Sequence, residues 1–273
     1  MSAVHTAKRF AKRILPRVVA GAARALRGRR GVARGDVPGS TNYEVLAGHV
    51  TPGDEFGGWR EAAVAERQHA AYSVLLGEMK AGNARRDLVV AAEAVERTGL
   101  PRPSVVEIGC GSGYYSEVLA FLCSRPVHYA GVDYSPAMVC LAARSFPGRP
   151  FVVGDAVALP IADRTFDIVL NGVSLMHILD YEEAIRESRR VTRQWCILHT
   201  VPVLRKRRTT VLRKMAYGRP TVEVVFNESE LVDVLTRNGL AVRETWDSIE
   251  YDLESVLGER TTTRTYLCEA TEC

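Results

Sequence analysis

The fold of this chain is decided by one short stretch, VVEIGCGSGYYS, at residues 105–116. Apolar residues typical of a buried strand lead into three alternating glycines, Gly109, Gly111 and Gly113, and a helical pattern follows. Glycine lets the backbone turn tightly and approach a ligand without a Cβ in the way, and the first turn of the next helix offers free N–H groups. Such a turn, at the carboxyl end of the first strand of a parallel sheet, binds nucleotide-like ligands.

The spacing of the glycines distinguishes between two kinds of cofactor. A dinucleotide fold uses G-x-G-x-x-G, which would require a glycine where this chain has Tyr114. Here the glycines alternate, and an acid, Glu107, precedes them. This E-x-G-x-G-x-G arrangement resembles the first motif of class I S-adenosylmethionine-dependent methyltransferases.

Later segments carry the same resemblance. Asp133 ends a second apolar run, twenty residues after the last of the three glycines, where an acid can accept hydrogen bonds from both ribose hydroxyls. Three further signals are similar to the signature of small-molecule methyltransferases that include quinone-biosynthesis enzymes: GDA at 154–156, LP at 159–160 and TFDIV at 165–169. The likeness covers about 104–180, continues more weakly through 195–271 and does not extend to 1–57.

The resemblance implies S-adenosylmethionine as the cofactor and assigns residues to it. Asp155 would hold the adenine amino group, the backbone of Ala156 would approach the ring, and Asn171 would lie near the methionine end. Glu107 either contacts the ligand or orders the glycine turn. The predicted cofactor-binding residues are Glu107, Gly109, Gly111, Gly113, Asp133, Asp155, Ala156 and Asn171.

A catalytic base is harder to assign. Methyl transfer from a sulfonium is an in-line displacement, so alignment supplies much of the rate, and a base is needed only for a poor nucleophile. His177 follows the fourth strand-like run, where the acceptor should enter, and its ordinary pKa suits a base. The alternative for His177 is a structural or cofactor-lining role. The fourth run ends in NGVS at 171–174, unlike an N-P-P-Y sequence, which disfavours methylation of a nucleobase or of a peptide glutamine.

Two further segments are expected to shape the acceptor site. The resemblance implies that the helical patterns over 58–100 form a lid, in which Arg67, Gln68 and Tyr72 are candidates to close over the cofactor; a solvated face with core packing is the alternative. Six cations without an acid lie in RKRR at 205–208 and RK at 213–214, where they could hold a phosphate or carboxylate; an ordinary solvated loop is the alternative. The predicted substrate-binding residues are Tyr72, Arg205 and Tyr217.

Alternation of apolar runs with helical patterns predicts an α/β fold. We expect a Rossmann-like seven-stranded sheet, parallel with an antiparallel C-terminal strand pair and helices on both faces. The predicted strands are 104–108, 129–133, 151–155, 166–171, 195–203, 240–249 and 263–270. The predicted helices are 58–80, 83–98, 114–124, 136–145, 181–192 and 228–238, the last two with capping-box spacing from Asp180 and Asn227.

This organisation divides the chain into a basic tail at 1–34, a linker at 35–57 and a methyltransferase domain at 58–273. The linker is rich in Gly, Pro, Thr and Asp. Within the domain, 58–100 is the helical lid and 104–273 the catalytic core.

Composition sets outer bounds on the function. The chain has 273 residues, 47% apolar and 25% charged, as in an ordinary globular protein. No run approaches the roughly 20 apolar residues of a membrane-spanning helix. The six cysteines form no Cys-x-x-Cys pair, so we expect no metal site and a reducing, cytoplasmic location.

The charge is unevenly distributed. The net charge is +4, but residues 1–34 hold ten Lys and Arg and no acid, so the remainder carries −6. An acidic body disfavours a nucleic-acid partner. The tail has an apolar residue at every fourth position from Phe10 to Leu26, so it is either disordered or a peripheral contact with an anionic membrane.

The sequence therefore predicts an S-adenosylmethionine-dependent methyltransferase that acts on a small-molecule acceptor or on a lipid- or glycan-linked one, by O- or N-methylation. Two alternatives stay open: a non-catalytic adenosyl-binding scaffold, and a nicotinamide-dependent oxidoreductase, which Tyr114 disfavours.

Overall fold

A computed structural model describes residues 34–35, 40–47 and 54–271. The strands are β1 Arg34–Gly35, β2 Ser40–Val45, β3 Ser104–Ile108, β4 His128–Asp133, β5 Phe151–Val153, β6 Phe166–Gly172, β7 Thr192–Leu204, β8 Thr210–Ala216, β9 Arg219–Asn227, β10 Leu240–Asp247, β11 Tyr251–Asp252 and β12 Thr262–Ala270. The helices are α1 Ala62–Lys80, α2 Arg86–Arg97, α3 Tyr115–Leu122, α4 Pro136–Ser145, α5 Tyr181–Val191, α6 Glu228–Arg237 and α7 Glu254–Leu257, with 3-10 turns at Asp54–Arg60 and Leu175–His177.

The main sheet has the predicted seven strands. Their spatial order is β5-β4-β3-β6-β7-β12-β10, and the first five are parallel. β12 runs antiparallel between β7 and β10, which confirms the predicted antiparallel C-terminal pair. Because β3, β4 and β6 are parallel neighbours, their carboxyl ends meet at one edge.

Helices cover both faces of this sheet because adjacent strand residues point to opposite sides. In β3, Val105 packs in the core cluster formed with α1, α2 and α3. Its neighbour Val106 packs in the cluster formed with α5 and α6. Both side chains are fully buried, so β3 lies at the centre of the core and holds the turn that follows it.

A second, antiparallel sheet was not predicted. β7 is 13 residues long, and its last residues, Val203 and Leu204, pair in parallel with the end of β9. β9 pairs with β8, and β8 with β2. This three-stranded sheet extends from the carboxyl end of β7 and therefore stands over the edge where the parallel strands end.

Two sequence-based predictions are corrected by this sheet. Residues 40–45, predicted as linker, form β2, because Tyr43 is fully buried in a cluster with Leu212 and Tyr251. The cationic segment after β7, predicted either to hold an anion or to be a solvated loop, contains the strand β8, in which the inward position 214 is a lysine. A buried lysine breaks the apolar alternation by which a half-buried strand is recognised.

Of the two predicted helix caps, Asn227 is confirmed and Asp180 is wrong. The side chain of Asn227 accepts hydrogen bonds from the backbone N–H groups of Ser229 and Glu230 at the start of α6. Asp180 precedes α5, but its side chain makes no capping hydrogen bond; it lies at the rim of the cavity described below.

The predicted amphipathic tail lies outside the described residues apart from Arg34, whose backbone pairs with Asp252. Within the described ranges, none of the helices combines the length and the apolar character needed to cross a bilayer.

Candidate functional site

A cavity of about 650 Å³ opens where the parallel strands end, a size usual for small-molecule sites. Its floor is the turn after β3 together with the ends of β4, β5 and β6, and its roof is the 3-10 turn Asp54–Arg60, α1 and the β8–β9 hairpin. Eight of the twelve predicted site residues line it: Tyr72, Gly109, Gly111, Asp133, Asp155, Ala156, His177 and Tyr217.

The turn needs glycine at all three positions, because of their backbone conformation and because a Cβ would meet a neighbouring group. Gly109, Gly111 and Gly113 have φ values of +69°, +52° and +81°, in the region that L side chains rarely adopt. A Cβ on Gly111 would lie 2.6 Å from the amide of Gln68 in the lid. A Cβ on Gly113 would lie 2.8 Å from the ring of Phe151. Gly113 therefore allows the turn to pack against Phe151, and it does not line the cavity.

Asp133 joins the glycine turn to the end of β4. Its Oδ2 accepts a hydrogen bond from the backbone N–H of Gly111 at 2.8 Å, and its Oδ1 accepts one from that of Ser135 at 2.9 Å. A carboxylate has about four acceptor positions, so about two remain for a ligand. The side chain is only 6% exposed, and burial raises the pKa of Asp133 to about 6.

The residues that directly follow β5 line another part of the cavity. Asp155 turns the chain there, with its Oδ1 accepting a hydrogen bond from the N–H of Val157 at 3.2 Å. Tyr134 and Met138 line the same region, and the guanidinium of Arg60 lies 5.1 Å from the centre of the Tyr134 ring. Tyr134 was not predicted from the sequence, although it directly follows Asp133.

A paired cation and anion line another part of the cavity. The guanidinium of Arg85 donates to both carboxylate oxygens of Asp87, at 2.7 and 2.5 Å, at the start of α2. Beside them Tyr72 stacks on Tyr114, with ring centres 3.7 Å apart. Arg85 and Asp87 were not predicted from the sequence, because charged residues at the start of a helix are common and carry no signal of a site.

The remaining part lies under the antiparallel sheet. The Nδ1 of His177 is 2.8 Å from the carbonyl oxygen of Val222, so Nδ1–H donates there and Nε2 is left as an acceptor. Burial, and then the nearby charge of Lys214, lower the pKa of His177 to about 3. The ring of Trp59 lies 5.0 Å from that of His177 and 5.9 Å from that of Tyr217. This end is therefore an aromatic slot beside a neutral imidazole.

Four predicted site residues do not line the cavity; Gly113 is one. Glu107 is fully buried behind the turn, where it accepts a hydrogen bond from the Tyr129 hydroxyl, and burial raises its pKa well above the ordinary value. The side-chain amide of Asn171 donates to Ser188 in α5 at 3.2 Å. The side chain of Arg205 is 73% exposed and pairs with Glu228 at 3.6 Å.

Comparison with known proteins agrees with this architecture. Residues 106–198 match the methyltransferase domain family. A demethylmenaquinone methyltransferase from Renibacterium salmoninarum is 30% identical over 122 residues, which is 45% of this chain and 49% of that protein. A 2-phytyl-1,4-naphtoquinone methyltransferase from Thermosynechococcus vestitus is 30% identical over 98 residues, 34% of this chain and 44% of that protein. The chain thus spans half or less of the length of these relatives.

A solved structure extends the comparison to most of the fold. The 1,6-didemethyltoxoflavin-N1-methyltransferase of Burkholderia thailandensis superposes with a TM-score of 0.55 over 89% of this chain and 100% of its own, at 16% identity. That identity is evidence for the fold alone. The predicted Rossmann-like methyltransferase fold is confirmed.

Proposed function

We propose that this chain, whose residues 106–198 form a methyltransferase domain on a class I fold, is an S-adenosylmethionine-dependent methyltransferase for a small-molecule acceptor. The observation that carries the proposal is the single cavity, which joins a cofactor-like part at the glycine turn to an aromatic slot under the antiparallel sheet.

The residues of the first part fit the chemical groups of S-adenosylmethionine. Asp133 has acceptor positions left for a ribose diol, and the wall formed by Tyr134 and Met138 suits a flat base. Arg85 and Asp87 offer one positive and one negative partner, which suits the carboxylate and ammonium of an amino acid. Tyr114, where a dinucleotide site would have glycine, is buried and stacked on Tyr72.

When bound, S-adenosylmethionine supplies a methyl group on a positively charged sulfur. The protein's own contribution is alignment: the glycine turn and Asp133 hold one reactant, and Trp59 and Tyr217 hold the other against it. Proximity of this kind removes much of the barrier to an in-line displacement. The roof formed by α1 and the β8–β9 hairpin excludes water from the reacting groups.

The acceptor class follows from the slot. Trp59, His177 and Tyr217 line the slot with aromatic rings that favour a flat, largely apolar ring, and the relatives named above carry quinone acceptors in their names. We propose O- or N-methylation of such a ring, free or linked to a lipid or glycan. A membrane contact by the tail would suit a lipid-linked acceptor and rests on the charge pattern alone.

Transfer of a labelled methyl group tests this function. The full chain is incubated with S-adenosylmethionine labelled in its methyl group and a small-molecule extract, and products are analysed by mass. We expect one compound to gain a single labelled methyl group, and to gain it much more slowly with Asp133→Ala at a limiting cofactor concentration. A chain that binds the cofactor but labels nothing would instead be the adenosyl-binding scaffold.

A further inference from the structure

A buried charged pair lies in the wall of the aromatic slot, and the function proposed above does not use it. The ammonium of Lys214 in β8 pairs with Oε2 of Glu223 in β9, and their side chains are 4% and 2% exposed. Both residues line the cavity.

The strand register explains why both side chains point inward. Lys214 lies opposite Thr221 and Glu223 lies opposite Leu212, so the two are diagonal neighbours on one face of the hairpin. Arg213, one position before Lys214, is exposed on the other face. The cavity wall thus contains a cation and an anion that the fold itself directs inward.

Two tyrosines complete the network. The hydroxyl of Tyr251 donates to Oε1 of Glu223 and lies 2.9 Å from the hydroxyl of Tyr43. The ammonium of Lys214 lies 5.9 Å from the centre of the Tyr43 ring. Both carboxylate oxygens of Glu223 are therefore held in place.

Stability is a poor reason for such a pair. Removing two charges from water costs several kcal/mol per ion, and apolar replacements of buried pairs are often neutral or stabilising. A buried pair in a cavity wall, however, can exchange one partner for a ligand of the same charge at little electrostatic cost.

We propose that Lys214 and Glu223 are the acceptor-hydroxyl site, selecting a ring that carries an acidic hydroxyl, a phenol or an enol. This inference rests on the function proposed above. Glu223 takes the proton of the hydroxyl, and the resulting oxyanion takes the place of the Glu223 carboxylate beside the ammonium of Lys214. The net charge of the buried group is unchanged by this exchange.

The transfer then balances. The acceptor oxygen uses a lone pair to bond to the methyl carbon as the methyl–sulfur bond breaks, and the electron pair of that bond remains on sulfur, which becomes a neutral thioether. The proton on Glu223 passes to solvent when the methylated product leaves. His177 stays neutral throughout, since a ring with a pKa of about 3 accepts a proton poorly near neutral pH.

The probe for this site is 4-nitrophenol, whose anion absorbs visible light at a longer wavelength than the neutral form. The full chain is saturated with S-adenosylhomocysteine, so that no transfer occurs, and the probe is added at a pH below its own pKa. We expect binding to produce the anion band. Lys214→Met should weaken that band about tenfold or more, as when a hydrogen bond to a charged group is lost.

Two further variants serve as controls, one for an unpaired buried charge and one for the general loss of a cation. Lys214→Met combined with Glu223→Met removes both charges, so no buried charge is left unpaired, and it should also lack the band. Arg213→Met removes a cation one position away on the other face and should keep the band. Persistence of the band in the double variant would overturn the proposal, as would its absence from the wild type.

Counting the protons released on binding tests whether Glu223 takes the proton of the hydroxyl. In weakly buffered solution the wild type should release almost no protons when the probe binds, because Glu223 keeps the proton. Glu223→Gln should release about one per bound anion, and equal release by both would show that Glu223 is not the acceptor. Binding of S-adenosylhomocysteine, followed separately by calorimetry, distinguishes a failure here from a failure of the methyltransferase function.

Discussion

At the scale of one residue, burial of Asp133 changes the pH range in which its carboxylate is ionised. Its carboxylate is fixed by two backbone N–H groups and removed from water, so its charged form is costly and its pKa rises to about 6. The identity and position of Asp133 could be predicted from the sequence. Its pKa could not, because burial depends on α4 and on the lid that pack around it.

The affinity for S-adenosylhomocysteine should depend on pH through this group. In the proposed complex the ionised carboxylate accepts the ribose hydroxyls more strongly than the protonated form does, so affinity should be constant well above pH 6 and should fall, by at most about tenfold per pH unit, below the pKa. Calorimetry between pH 5 and pH 8 measures this. Asp133→Ala should bind about 1–3 kcal/mol more weakly at pH 8 and lose the pH dependence; a flat wild-type profile would contradict the assignment.

Glu107 offers a contrast, because it is buried with a raised pKa but lies behind the turn. Glutamine keeps an oxygen that can accept the hydrogen bond of the Tyr129 hydroxyl. We therefore expect Glu107→Gln to change the affinity for S-adenosylhomocysteine by less than about threefold, well under the effect of losing a charged hydrogen bond. A loss comparable to that of Asp133→Ala would mean that Glu107 contacts the ligand.

His177 tests which group accepts the proton. His177→Asn keeps an N–H that can donate to the Val222 carbonyl, so the wall of the slot is preserved. If Glu223 accepts the proton, the rate of labelled-methyl transfer should stay within about tenfold of the wild-type rate. A change of that size is less than the usual contribution of a general base. A collapse of turnover with unchanged cofactor affinity would restore His177 as the base.

At the scale of elements, the sequence predicts the parallel core well and the antiparallel sheet poorly. The predicted helix 136–145 is reproduced as α4, and β3 has the predicted bounds, because apolar periodicity and glycine punctuation agree there. β2 and β8 were missed since their inward positions carry Tyr43 and Lys214, whose partners come from distant parts of the chain. The part of the cavity wall that these strands form therefore leaves no local pattern in the sequence.

Gly113 provides a prediction at this scale. Gly113→Ala and Gly148→Ala both place a side chain at positive φ, +81° and +85°, but only the first meets a neighbour, the Phe151 ring. Gly113→Ala should lower the free energy of unfolding by about 1–3 kcal/mol more than Gly148→Ala does, as overpacking of a core costs. Urea denaturation measures the difference, and equal losses would show that strain at positive φ accounts for the effect.

On the scale of the whole molecule, several polar contacts join the lid to the hairpin above the cavity. Arg67 in α1 donates to the carbonyl oxygen of Tyr217 at 2.6 Å, and Arg219 pairs with Glu61 at 2.8 Å. The two halves of the roof come from segments about 150 residues apart, so no local sequence pattern predicts their contact. Their contact closes the cavity on this side.

Loosening this roof should speed release of the product. Arg67→Met removes the link to Tyr217, and the dissociation rate of S-adenosylhomocysteine should rise roughly threefold to tenfold, in keeping with one lost hydrogen bond. Stopped-flow tryptophan fluorescence follows the release, because Trp59 lines the cavity. Arg193→Met, which removes an ion pair with Asp167 outside the cavity, should leave the rate unchanged; equal rates in both variants would show that the roof does not retain the ligand.

Calorimetric titration of the full chain with S-adenosylhomocysteine, beside a titration with NADH, tests the central claim most directly. We predict saturable binding of S-adenosylhomocysteine at one molecule per chain and no saturable binding of NADH, because Tyr114 closes the turn to a dinucleotide. A folded protein that takes up no S-adenosylhomocysteine, or that binds NADH in its place, would contradict the assignment of the cavity.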